Sequence, residues 1–307
     1  MSGRETLPSP VVGRSGRVGE FFIEGLIRIL GSSAIGFVVL IFLFLVRESL
    51  PVVFRVAPQN ALGTRWYPTF GLFGIRPLVL GSLLVTVTAI LIALPLGVAT
   101  AVFVREVAPS WAREILKPLV EVLAGIPSVV LGFFGMTMLA PVVRENLGAP
   151  TGLTAMAGAL LLAYMALPTI ISVAEDALDA VPKSYRDAAL AMGATRWQAI
   201  WRVIVPAARS GIVTAVMLGM GRAIGETMAV MMVTGNAARM PTTLDSLLRP
   251  VRTITATIAA EMGEVAQGST HYHALFGLGI VLFAVTFVIN LTAASAVFEK
   301  RRKGGLR

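Results

Sequence analysis

An arginine and a glutamate stand in the middle of an apolar run. Gly221-Arg222-Ala223-Ile224-Gly225-Glu226-Thr227 falls inside Ile212–Thr234. A charge in such a run faces a bundle interior or a water-filled path rather than lipid. On a continuous helix Arg222 and Glu226 share one face and can pair, while Gly221 and Gly225 share another face and admit a close neighbour. Two readings compete. In the structural one, the pair fixes helix register and touches no solute. In the functional one, Arg222 offers a planar fork of donors to an oxyanion such as phosphate or sulfate. Glu226 then orients Arg222 or accepts a proton from a protonated oxyanion, at the cost of repelling a dianion. Ionisable residues inside spans mark pathways by default, which favours Arg222 and Glu226 as path residues, with Thr227 beside them.

The second stretch with chemistry to offer is Tyr185–Pro206, YRDAALAMGATRWQAIWRVIVP. Arg186, Asp187, Arg196, Gln198 and Arg202 unfit it for hydrocarbon, yet Ala188, Ala189, Leu190, Ala191 and Met192 favour helix. An ordered polar segment between apolar runs predicts a docking surface for another protein. The alternative is a solvated helix without a partner. The docking surface matters because nothing else in the chain supplies energy: there is no Gly-x-x-x-x-Gly-Lys-Ser/Thr loop to hold a nucleotide. There is no cysteine, so thiol chemistry, disulfides and Cys-ligated metals are excluded. His271 and His273 invite a metal reading, but on a helix residues two apart point to different faces and no third ligand is near in sequence. No metal or cofactor is expected.

The elements that must position these residues are membrane spans. Hydrophobic residues make up 56% of the chain and charged ones 14%, against about 25% charged in a soluble domain. Six runs reach the roughly 20 residues a span requires: Leu26–Val46, Leu78–Val104, Leu119–Val143, Leu153–Val173, Ile212–Thr234 and Leu275–Val297. They are continuous rather than alternating, so helices satisfy the backbone and a barrel does not. The predicted fold class is an all-α polytopic transmembrane bundle. Lys and Arg number 17 on one side of these spans and 8 on the other, with Arg222 left inside. The bias puts both termini in the cytoplasm. The net charge of +9 therefore reads as topology, with the Lys300-Arg301-Arg302-Lys303 tail near anionic lipid headgroups rather than nucleic acid.

Along the chain, residues 1–25 read as a loose tail and 26–77 as the first span with an outer loop. In that loop Trp66 and Tyr67 fit a membrane–water interface, and Pro51, Pro58, Pro68 and Pro77 argue against a long helix. Residues 78–298 carry the remaining five spans, with a polar inner loop at about 174–209, and 299–307 form a basic tail. Pro95 is expected to kink the second span. In the third, Pro127 predicts either a bend or break lining a path or simple packing, whereas Gly132 and Gly135 read as close helix packing. Leu244, Leu247, Leu248, Val251, Ile254 and Ile258 recur at helical spacing, predicting an amphipathic helix at the outer face or a re-entrant segment.

Asp187-Ala188-Ala189, then Gly193, then Val203-Ile204-Val205-Pro206 resembles the EAA loop of ABC-importer permeases: Glu-Ala-Ala, three residues, Gly, nine residues, Ile-x-Leu-Pro. The spacing matches throughout, with Asp187 for Glu, Val203 for Ile and Val205 for Leu. Ala124–Gly135, Gly221–Val230 and Leu247–Glu264 narrow the likeness to phosphate-specific importers, closer to the C-type than to the A-type permease. The resemblance runs from about Arg76 to the end. It implies a type I permease fold in the inner membrane and no catalysis by the chain itself. It also implies a cytoplasmic ATPase dimer, a second permease subunit of A-type and an extracytoplasmic phosphate-binding protein. Tyr185, Arg186, Asp187, Ala188, Ala189, Gly193 and Pro206 would belong to the coupling loop seated on the ATPase, and Arg222 and Glu226 would be tied to phosphate passage. Other oxyanions (molybdate, tungstate, sulfate) and a self-sufficient secondary transporter are the rival expectations.

Overall fold

The computed structural model describes residues 14–304, so residues 1–13 and 305–307, which include Arg4 and Arg307, lie outside the described residues. The chain divides into two units, Met1–Glu48 and Ser49–Arg307. Helix α1 runs from Arg14 to Arg55. It begins earlier than the loose tail expected over residues 1–25, because after Pro10 no proline interrupts the chain until Pro51. In the first unit its apolar side chains, Ile27, Ile35 and Phe37 among them, are exposed. The helix continues through Pro51 and stops before Ala57, which Pro58 drives out of the helical region to φ −58°, ψ 139°.

In the second unit a small hairpin, β1 (Trp66–Tyr67) and β2 (Leu72–Phe73), pairs Trp66 with Phe73. Then come α2 (Arg76–Val107), unbroken at Pro95, and α3 (Ser110–Ala124). They are followed by α4 (Ser128–Leu147) and α5 (Ala155–Asp179). After α6 (Lys183–Ala191), α7 (Arg196–Ala207) and α8 (Arg209–Gly225) meet at 69°. The chain closes with α9 (Met228–Val233), α10 (Ile254–Glu261) and α11 (Thr270–Gly304). Among the described residues five helices are long and apolar enough to cross a membrane, six if the bent pair is one span.

Helix α5 is the axis of the unit. Its buried alanines 155, 157, 159, 163, 166 and 174 let neighbours approach closely. Gly97 of α2 and Gly219 of α8 press on the same residue: a Cβ at either would fall 2.7 Å and 2.6 Å from Ile170. Gly132 and Gly135 of α4 pack against Ala229, Met232, Val233 and Leu161, as their close-packing reading required.

Three expectations are corrected. First, Leu119–Val143 is not one continuous span helix, and of the two readings of Pro127 it takes the break. It breaks at Gly125-Ile126-Pro127, and Pro127 precedes α4 with ψ 135°. Helix α3 buries no residue and exposes the stripe Trp111, Ile115, Leu119 and Val122. Second, Leu244–Ile258 is not one amphipathic helix. A short 3₁₀ turn at Leu244–Leu248 ends where Pro250 forces Arg249 into extended backbone, and α10 starts afresh behind a Thr253 cap. The stretch between is drawn into the protein: the amide of Val251 donates to the Thr234 carbonyl (2.9 Å) and that of Ile254 to Ser82 Oγ (2.9 Å). Irregular backbone survives at depth only with such partners. Third, Trp66 is buried rather than interfacial, because its indole N–H reaches Glu261 Oε2 at 3.0 Å.

Candidate functional site

The run Ile212–Thr234 breaks where the charges lie. Helix α8 ends at Gly225, Glu226 is extended (φ −68°, ψ 131°), and α9 starts at Met228. With 17 residues, α8 spans about 26 Å at 1.5 Å per residue, short of a hydrocarbon core of about 30 Å. The break therefore separates Arg222 from Glu226, and the expected pair on one face is absent. Glu226 Oε1 instead accepts from the amides of Thr227 (3.2 Å) and Ala229 (3.4 Å), while its carbonyl accepts from Thr255 Oγ1 (2.9 Å). Thr227 donates back to the Gly225 carbonyl. A Cβ built at Gly221 or Gly225 meets no atom within 4 Å, so no neighbour within this chain approaches closely at these glycines.

Arg222 is partly buried and rests on neutral acceptors. Nη1 donates to Thr169 Oγ1 of α5 and Nη2 to the Ala124 carbonyl at the end of α3, both at 3.3 Å. Among the described residues no carboxylate pairs with it. A carbonyl at a helix C-terminus carries partial negative charge and holds a cation weakly. The site thus presents a positive charge without a counter-charge, on bonds longer than the 2.7–2.9 Å typical of charge-assisted contacts.

The other end of the bundle is built differently. Helix α6 follows Pro182 and exposes Tyr185, Asp187, Ala188 and Leu190, with Met192 88% exposed beyond it. Gly193 at φ +84° ends the helix, its amide reaching the Leu190 carbonyl and that of Ala194 the Ala189 carbonyl. A left-handed residue is needed there, which glycine adopts without penalty. Thr195 and Gln198 cap α7 reciprocally. Ile200 and Ile204 of α7 are buried in a cluster with Val102 of α2 and Ala174 and Leu178 of α5, while Pro206 remains exposed on its last turn.

Several residues that sequence reasoning missed tie this knob to the spans. Arg186 of α6 grips both carboxylate oxygens of Glu106 at 2.5 and 2.6 Å, and the Glu106 side chain is only 3% exposed. Arg105 pairs with Asp179. Arg113 of α3 donates to the carbonyls of Val104 (3.0 Å) and Arg105 (2.7 Å), and Lys117 pairs with buried Glu175 of α5 (3.3 Å). Glu106 lies 80 residues from Arg186, outside any periodicity window; the acid–base alternation of Arg105-Glu106 beside a span end was the available signal.

A mostly helical polytopic chain, with a guanidinium that no carboxylate pairs among the described residues beside a broken span and a polar knob at its end, has the parts of a membrane transport subunit. The chain belongs to the family of binding-protein-dependent transport system inner membrane components, whose profile matches residues 93–304. It is 42% identical over 250 residues to the probable ABC transporter permease protein YqgH of Bacillus subtilis, covering 81% of this chain and 78% of that one. Identity to the phosphate transport system permease protein PstC of Mesorhizobium japonicum is 39% over 243 residues, 73% of each chain. To PstC of Haemophilus influenzae it is 32% over 284 residues, 86% of this chain and 89% of that one. The fold is similar to that of the MetNI methionine ABC transporter (TM-score 0.57, 21% identity, 76% of this chain, 99% of that one). It is likewise similar to a bacterial importer of alginate (TM-score 0.54, 17% identity, 92% and 99%).

Proposed function

We propose that this chain is the C-type permease subunit of an ATP-driven inorganic phosphate importer. It forms half of a translocation path with a second, A-type permease. A cytoplasmic ATPase dimer and an extracytoplasmic phosphate-binding protein complete the machine, and both termini face the cytoplasm. Residues 78–298 carry the permease domain, with the coupling loop at about 174–209. Residues 1–25 form the cytoplasmic tail, 26–77 the first span and outer loop, and 299–307 the basic tail.

The observation that carries this reading is Arg222, a membrane-embedded cation lodged on two neutral oxygens at 3.3 Å. A phosphate oxygen displaces such partners with a gain, because a charge-assisted bidentate contact replaces two long neutral ones. Glu226, its Oε1 occupied by backbone amides, stands off the guanidinium and leaves the fork open to an anion, with Thr227 beside it. On the cytoplasmic side, Tyr185, Asp187, Ala188 and Ala189 seat on the ATPase, and Gly193 and Pro206 fix the shape of the loop. Closure of the ATPase dimer moves α6. Arg186 hands that displacement to Glu106 at the end of α2, and α7 hands it to α5, whose Thr169 touches Arg222.

The test is uptake of radiolabelled phosphate by the four-component complex in proteoliposomes, with sulfate and molybdate as competitors. ATP-dependent phosphate uptake that the other oxyanions do not suppress is expected. Uptake without the ATPase would identify a secondary transporter, and preferential uptake of another oxyanion would reassign the substrate.

A further inference from the structure

The intramembrane arginine is not the only place where the second unit holds donors around open space. On the side of the bundle bearing the β1–β2 hairpin, a cavity of about 530 Å³ is lined by Trp66, Thr69, Asn236, Arg239, Arg252 and His271, with Glu261 as its one acid. That size falls in the roughly 300–1,000 Å³ range of small-ligand sites.

The acid is occupied. Glu261 Oε1 accepts from Arg252 Nη1 (2.5 Å), and Oε2 meets Trp66 Nε1 (3.0 Å) and His271 Nε2 (2.8 Å). Asn236, held at φ +48°, takes Nε of Arg252 at 2.8 Å. These contacts lock the Arg252 guanidinium and leave Nη2 without a protein partner among the described residues. Arg239 is exposed, makes no ion pair among the described residues, and also lines a neighbouring cavity of about 280 Å³ with Thr242, Thr243 and Ser246. The balance of the larger cavity is one cation offset by Glu261 and one cation free, set among neutral donors: a surface for an anion, not for a metal or an amine.

The cavity is also joined to the broken span. Three residues after Arg252, Thr255 donates to the Glu226 carbonyl at the break, and two residues before Asn236, Thr234 accepts the amide of Val251. The stretch from Arg252 into the first turn of α10 thus carries Arg252 at one end and touches the α8–α9 break at the other.

We infer that this cavity is an outer receiving site for the transported oxyanion, with Arg239 and Arg252 as its charged contacts and Arg222 as the next station inward. The inference rests on the proposed function for the nature of the anion. Arg239 collects the anion as it leaves the binding protein, and the fixed Arg252 holds it over the segment that reaches Glu226. The arrangement supplies an anion-stabilising stop between bulk solvent and a single intramembrane charge.

The experiment uses the assembled complex in proteoliposomes with saturating phosphate-loaded binding protein. It compares wild type, Arg239→Glu and Arg239→Lys for phosphate delivered and for ATP hydrolysis stimulated by the binding protein. The Arg239 side chain is exposed and makes no hydrogen bond or ion pair among the described residues, so Arg239→Glu is expected to assemble. It is expected to lower phosphate delivered per ATP about tenfold through like-charge repulsion, while stimulation of hydrolysis persists and Arg239→Lys recovers most uptake. Loss of stimulation in step with uptake would make Arg239 a docking contact and overturn the inference, as would unchanged uptake in Arg239→Glu. Wild-type complex that moves no phosphate sinks the parent reading itself, an outcome visible before any variant is compared.

Discussion

The two arginines that matter most here, Arg222 and Arg186, are held in opposite ways. Arg222 lies at a helix break and touches a hydroxyl and a carbonyl at 3.3 Å, with no carboxylate pairing it among the described residues. Arg186 closes on a nearly inaccessible carboxylate at 2.5 and 2.6 Å, on a helix fixed by Gly193 and by the Thr195–Gln198 cap beyond it. Charge paired at short range in low dielectric resists separation. Charge set on long neutral bonds exchanges partners readily. On the function proposed above, one arginine would serve transmission and the other the solute, although their side-chain chemistry is identical.

The largest effect should come from removing the exchangeable charge. Arg222→Gln is expected to lower phosphate uptake on the order of 100-fold or more, since it removes the charge that would meet the anion at the broken span. Co-purification of the ATPase and the thermal stability of the complex should change little, because only two long neutral contacts are lost. Uptake by the reconstituted variant at the wild-type rate would return Arg222 to packing.

Removing the fixed charge should show the converse pattern. Glu106→Gln leaves Arg186 without its counter-charge beside a buried site. Because the Arg186 side chain is 39% exposed, the cost is discounted from the 3–5 kcal/mol of a fully buried pair to about 2 kcal/mol. Apparent Tm should fall, and phosphate delivered per ATP should fall with it, while the ATPase still co-purifies. A double-mutant cycle with Arg186→Gln isolates the coupling. A coupling indistinguishable from zero would remove this pair from the transmission path.

Gly193 sharpens the same contrast by geometry rather than charge. No atom lies within 4 Å of a Cβ built there, so the penalty of a substitution is the left-handed backbone alone, about 1–2 kcal/mol for most residues and less for Asn or Asp. Gly193→Val should therefore reduce ATPase co-purification and uncouple hydrolysis from uptake more than Gly193→Asp. Equal and wild-type behaviour of both variants in a paired uptake and hydrolysis assay would show that the turn tolerates any residue.

How much of this was legible follows from what each feature leaves in a sequence. Spans are written as long apolar runs, and the polar segment with Asp187-Ala188-Ala189 and Gly193 as an ordered helix and turn between them, so both elements could be read directly. The break at Glu226 could not, because Gly225 is tolerated inside membrane helices and marks no stop. Reading α8 through it paired Arg222 with Glu226, when the actual partners are a hydroxyl from α5 and a backbone carbonyl, which has no sequence signature. The Trp66–Glu261 bond joins residues 195 positions apart, and only tertiary packing turns an aromatic expected at the interface into a buried donor. The failure at Leu244–Ile258 was different: Pro250 stood in the sequence, and its effect on Arg249 was there to be weighed against the apolar spacing.

The smallest expected effect gives the finest discrimination. Thr169→Val removes the hydroxyl that Arg222 Nη1 uses at 3.3 Å and keeps the side-chain volume. If Arg222 rests on partners it is meant to leave, this bond contributes about 0.5 kcal/mol or less, and losing it slightly raises the guanidinium's appetite for an anion. Stability of the complex should then be unchanged within error, and the phosphate concentration giving half-maximal uptake should stay the same or drop by about twofold. A fall in uptake approaching that of Arg222→Gln would mean that the hydroxyl is part of a fixed network, that both arginines are structural anchors, and that the distinction drawn between them does not hold.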